Sequence, residues 1–178
     1  MSILKPVLRR LLRLLMTPVR WLYHRRNGQM DDNGRHEVPN AALLSLVSES
    51  LAQGHTAVIW VKGYSMRPFI EYGRDRVKLA FPSEVRVGDA VLAQIHPDHY
   101  VLHRVIERQG ADLVLQGDGN VRGVERCRVD DVCGVVIEYI RPKRTIPASD
   151  PSLCRRIRLW RTLRPLRRLL LVVYKAYV

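Results

Sequence analysis

The sequence predicts a compact, mainly β domain led by a short helix and flanked by amphipathic helices at both chain ends. Short runs rich in Val, Ile and Leu, separated by Gly, Pro, Asp or Asn, fill residues 56 to 140, which is the pattern of hairpins. Leucines recur at helical spacing in residues 1–26 and again in 152–178, each time with arginines between them. The 47% hydrophobic content is enough to fill a core and excludes global disorder.

Taken in order, Leu4, Val7, Leu8, Leu11, Leu15, Val19 and Leu22 define the apolar face of a first helix, with Lys5, Arg9, Arg13 and Arg20 opposite. Arginines and Pro18 interrupt this stretch, so it predicts neither a spanning helix nor a cleavable signal peptide. Residues 27–38 are polar and turn-rich, a linker. The domain proper is expected over 39–141. It opens with a helix from Ala41 to Leu51, stopped by Gly54. The expected strands are Thr56–Lys62, Arg76–Ala80, Ala90–Ile95, Tyr100–Glu107, Asp112–Gln116 and Val132–Ile140. Residues 142–151, with three prolines, read as a second linker. In the last segment Leu159, Leu163, Leu166 and Leu170 line one side and Arg161, Arg164 and Arg168 another, and Pro165 kinks or restarts the helix.

The net charge of +13 belongs to the ends. Residues 1–26 hold seven Lys/Arg and 151–178 hold eight, neither with an acid, which leaves 15 basic against 17 acidic residues between them, or −2. A near-neutral domain argues against nucleic acid as the partner. Basic helices with Trp21, Tyr23, Trp160, Tyr174 and Tyr177 near their ends fit the surface of an anionic membrane, with the protein held peripherally at the cytoplasmic face. Packing of the apolar faces on the domain is the competing reading. Cys127, Cys133 and Cys154 show neither C-x-x-C spacing nor an even count, so they predict no disulfide framework and no zinc site. His96 and His99 flank Pro97-Asp98 and read as a hairpin loop.

The candidate chemistry lies in Gly63-Tyr64-Ser65-Met66-Arg67-Pro68, His103-Arg104 and Gly117-Asp118-Gly119-Asn120. A serine hydroxyl needs a neighbouring base to attack a carbonyl, and a neutral imidazole is a suitable one. Ser-Met-x-Pro, a strand carrying a base followed by Arg, and Gly-Asp-x-Asn, in that order, resemble the signal peptidase I and LexA-like serine peptidases over roughly residues 57 to 140. The resemblance implies Ser65 as nucleophile, His103 as base where many members carry lysine, and Asp118 as the group that orients the histidine. It also implies a serine endopeptidase that cuts an extended peptide or leader segment, with no cofactor and no metal. Gly88-Asp89 matches a Gly-Asp of the family and reads as structural. The longer Gly-x-Pro-Gly-Asp box after the base is absent, and Gly63 stands where some members carry a serine that helps the oxyanion, leaving that task to the Ser65 backbone N–H. Two alternatives stay open. One is a non-catalytic peptide- or membrane-binding module on the same fold. The other is a LexA-like self-cleaving regulator, for which Cys133-Gly134 would be the cut dipeptide although the lysine base and a helix-turn-helix are missing.

Overall fold

In the computed structural model, which describes residues 40–177, a single eight-stranded antiparallel sheet forms the frame. The basic helix expected over 1–26 and the linker 27–38 lie outside the described residues. The chain runs through α1 (Asn40–Ala52), then β1 (Ala57–Trp60), β2 (Arg76–Ala80), β3 (Ala90–His96), β4 (His99–Gln109), β5 (Asp112–Gln116) and β6 (Glu125–Arg128). A 3-10 turn (Val129–Asp131) leads into β7 (Val132–Arg141) and β8 (Arg144–Pro147), and helices α2 (Pro151–Thr162) and α3 (Arg167–Tyr177) follow. The six expected strands are all present, with ends shifted by a few residues.

Strand order is β1-β2-β7-β3-β4-β5-β6, with β8 added to β7. β7 is thus central, and its residues meet β2, β3 and β8. Because successive strand side chains point to opposite faces, the sheet buries two apolar clusters. One packs Leu79, Ala90, Leu92 and Val136 against Leu51 of α1, Met66 and Phe69 of the loop after β1, and Leu153, Trp160 and Leu170 of the last two helices. The other, Val85, Val91, Ala93, Val105, Leu113, Leu115 and Val132, fills the opposite face.

Two parts of the sequence reading are corrected. The stretch 142–151 is not a plain linker: Arg144–Pro147 adds a strand to β7, and Asp150 caps α2 by accepting from Leu153 N–H at 2.7 Å. The last segment restarts at Pro165 as expected, two helices joined by a 3-10 turn at Arg164–Leu166, but the apolar face counted across that break does not exist as one stripe. Leu153, Ile157, Trp160, Leu170, Leu171 and Tyr174 face the core, whereas Leu159 and Leu166 are exposed. The helix axis breaks between them, and periodic spacing holds only within one unbroken helix.

Candidate active site

Ser65 sits in the loop after β1, half-buried, on a turn that the sequence pins from both sides. Met66, Phe69 and Ile70 are buried in the first apolar cluster, and the Met66 carbonyl accepts from Phe69 N–H at 3.1 Å and Ile70 N–H at 3.0 Å. Arg67 stacks over Tyr64, its guanidinium 4.0 Å from the ring centroid, and donates to Glu71 at 2.9 Å. Glu71 also accepts from the hydroxyl of Tyr174 on α3. Burial, and then the Glu71 carboxylate, push that hydroxyl's pKa well up, so Tyr174 stays a neutral donor.

The loop after β5 meets the Ser65 turn backbone to backbone. Gly119 N–H donates to the Ser65 carbonyl at 2.7 Å. A Cβ on Gly117 would lie 2.5 Å from the same oxygen, and one on Gly119 would lie 2.9 Å from the Tyr64 carbonyl. Both glycines of Gly-Asp-Gly-Asn are therefore required by close approach rather than by turn conformation. Arg104 of β4 pairs with Gln116, the last residue of β5, and Gly117 opens the loop beyond it. The space a side chain at Gly117 would fill holds the Ser65 carbonyl. Cross-strand partners share a face. His103 pairs with Val91 and shares the face of Val105 in the second cluster, whereas the Ser65 turn is anchored through Met66 and Phe69 in the first, so the two are held from opposite faces of the sheet.

His103 is buried, and its Nδ1 lies 2.8 Å from Glu125 Oε2. Glu125 is opposite Leu115, and Leu115 is opposite Val105, so Glu125 shares a face with Val105 and with His103 two residues along. With a proton on Nδ1 donated to the carboxylate, Nε2 keeps its lone pair and can accept a proton. Among the described residues no hydrogen bond joins Ser65 Oγ to His103, and the Ser65 N–H is left without a protein acceptor.

Asp118 does not orient His103. Its carboxylate accepts from Arg104 Nε at 2.8 and 3.0 Å and from Arg104 Nη2 at 2.6 Å, a pair only 1% and 2% exposed. Alternation along β4 is the physical reason. Arg104 follows His103 directly and points to the other face, where it lies 5.5 Å from the Phe69 ring centroid, and Asp118 is committed there. Burial opposes the Arg104 charge, but Asp118 and Tyr139 outweigh it and raise its pKa. Arg104 also donates to the Gly88 carbonyl at 2.8 Å, which ties Gly88-Asp89, the dipeptide read as structural, into this network.

The last two helices hold the same loop from outside. Trp160 Nε1 donates to the Asp118 carbonyl at 2.8 Å, and Arg167 Nη1 donates to the Asn120 carbonyl and to Gln116 Oε1, both at 2.9 Å. Sequence reasoning missed Glu125 and Arg167, gave Arg104 no role beyond its place in the motif, and set Trp160 at a membrane surface, whereas Trp160 is 1% exposed in the core. A signal for Glu125 did exist: Glu125, Cys127 and Val129 alternate with Arg126 and Arg128, the period of a strand with one acid on its inner side.

Other sequence candidates resolve simply. His96 and His99 close the β3–β4 hairpin with ring centroids 6.3 Å apart, and no group of three or more metal-ligating side chains occurs among the described residues. Cys127, Cys133 and Cys154 are unpaired. Cys133-Gly134 lies inside β7 with Gly134 paired to Leu92 in the middle of the sheet. No described helix is long and apolar enough to cross a membrane.

No family model matches the chain, and neither a curated protein nor a solved structure matches it.

Proposed function

We propose that the chain is a serine endopeptidase resembling the signal peptidases, with Ser65 as nucleophile, His103 as general base and Glu125 as the carboxylate that orients the imidazole. The observation that carries this reading is the 2.8 Å contact between His103 Nδ1 and Glu125, which presents a carboxylate to the imidazole. Glu125 would fix the tautomer that leaves Nε2 free to take the Ser65 proton as Oγ attacks the peptide carbonyl. The same nitrogen would then hand the proton to the leaving amine. The Ser65 N–H supports the reading as a donor for the developing oxyanion. The reading requires Ser65 Oγ to reach His103 Nε2 when substrate is bound, since catalytic hydrogen bonds can be long before the Michaelis complex forms. The substrate is an extended peptide or leader segment. For location we infer peripheral attachment to a membrane.

The test is cleavage of a mixed peptide library read by mass spectrometry. Purified protein is expected to cut and Ser65→Ala to be inert with an unchanged circular dichroism spectrum, because a half-buried hydroxyl on a turn leaves no core cavity. Equal cleavage by Ser65→Ala refutes the assignment. A parent that binds peptides without cutting them would favour the non-catalytic module.

A further inference from the structure

The outer side of α2 and α3 combines two features that the core does not use. Leu159, Leu166, Leu169 and Val172 are 38, 51, 48 and 62% exposed. Leu169 and Val172 are three residues apart within α3 and so are neighbours on its surface, and Leu166 is exposed in the 3-10 turn that leads into it. Around them Arg155, Arg158, Arg164 and Arg168 are exposed, and residues 151–178 carry no acid. Arg161 and Arg167 of the same segment are turned inward onto the Ile106 and Asn120 carbonyls, so the inner and outer arginines have separate tasks.

We propose that this face seats the protein on an anionic lipid surface, the leucines entering the headgroup boundary and the arginines pairing with phosphates. The proposal rests on the peripheral attachment inferred above and makes it specific to one face. Charge decides between occupants. Residues 1–26 of the same chain carry seven Lys/Arg and no acid, so covering this face with them would set cation against cation. A second copy would do the same across a two-fold axis. Nucleic acid would neutralise the arginines but would leave the leucines against a hydrated phosphate backbone. Anionic lipid satisfies both, in the manner of interfacial amphipathic helices. The inner side of the same two helices holds the 117–120 loop through Trp160 and Arg167, so the lipid-facing element also braces the candidate site.

The experiment is sedimentation of full-length protein with phosphatidylcholine vesicles, with and without phosphatidylglycerol. Binding is expected only to the anionic vesicles. It should weaken as salt rises from about 0.1 M to about 1 M, where the Debye length shrinks from about 10 to about 3 Å. Leu166→Ser with Leu169→Ser should lower partitioning by about tenfold or more, since each loses the burial of a large apolar side chain. Arg164→Gln with Arg168→Gln should lower it by about fivefold per residue. All four positions are exposed, and unchanged circular dichroism checks that the variants fold. Equal binding by the leucine variant and the parent overturns the proposal. Equal binding to neutral vesicles, a parent dimer that the leucine variant dissolves, or binding to duplex DNA in preference to vesicles also overturns it. Peptide cleavage by the same samples reads the peptidase assignment separately, because lipid binding does not depend on Ser65.

Discussion

Asp118 is bonded to Arg104 and Glu125 to His103, neighbours on β4, and removing each carboxylate should have a different consequence. Asp118→Ala would leave the Arg104 guanidinium with only the neutral Gly88 carbonyl and Tyr139 hydroxyl as partners, in a position 1% exposed. Breaking a buried ion pair by removing one partner costs about 3–5 kcal/mol, because the remaining charge is stranded away from water. At roughly 2–4 °C of melting temperature per kcal/mol for a chain of this size, the expected drop is about 6–20 °C. Glu125 is different. Its side chain is 27% exposed and its partner is a histidine rather than a permanent charge, so Glu125→Ala should cost about 1–3 kcal/mol, the penalty of leaving the His103 Nδ1 without an acceptor. It should nevertheless lower peptide cleavage by about 100-fold or more, since the imidazole loses the group that selects its tautomer. Thermal and urea unfolding alongside a cleavage assay compare the two variants. If Asp118→Ala melts like the parent and loses activity while Glu125→Ala cleaves normally, the orienting role belongs to Asp118 and the face argument for β4 is wrong.

Gly117→Ala should be poorly tolerated, because its Cβ would sit 2.5 Å from the Ser65 carbonyl and displace the nucleophile's backbone; a loss of about 1–3 kcal/mol and a tenfold or greater fall in cleavage are expected from unfolding and kinetics together. Trp160→Phe keeps the ring in the core but leaves the Asp118 carbonyl without its donor, which should cost about 1–3 kcal/mol by urea titration; an unchanged midpoint would show that water replaces the indole. The Cys127 thiol is pushed up to about 11, first by burial and then by Asp131. Since only the thiolate reacts, iodoacetamide should modify Cys127 at pH 8 roughly 100-fold more slowly than a free thiol, and rate constants read by peptide mass spectrometry would check it.

Sequence alone determined the mainly β domain, because a period of two between turn residues is written in local order and is independent of what the strands pair with. The same holds for α1 and for the existence, though not the facing, of the C-terminal helices. Ser65 and His103 were proposed from short words in the sequence, and the structure places Ser65 on a braced turn and His103 on β4 beside Glu125. The carboxylate partner of His103 was not legible in those words. Asp118 was expected in that role because Gly117-Asp118-Gly119-Asn120 resembles the family's Gly-Asp-x-Asn word. Only register reveals that His103 and Arg104 point to opposite faces, so that Asp118 is bound to Arg104 and Glu125 reaches the imidazole. The C-terminal leucines went the same way: a break at Arg164–Leu166 turned one expected stripe into an inner face that packs on the core and an outer face that remains exposed. Which element pairs with which, and which face each presents, depends on contacts between residues far apart in the chain, and local periodicity holds no record of them.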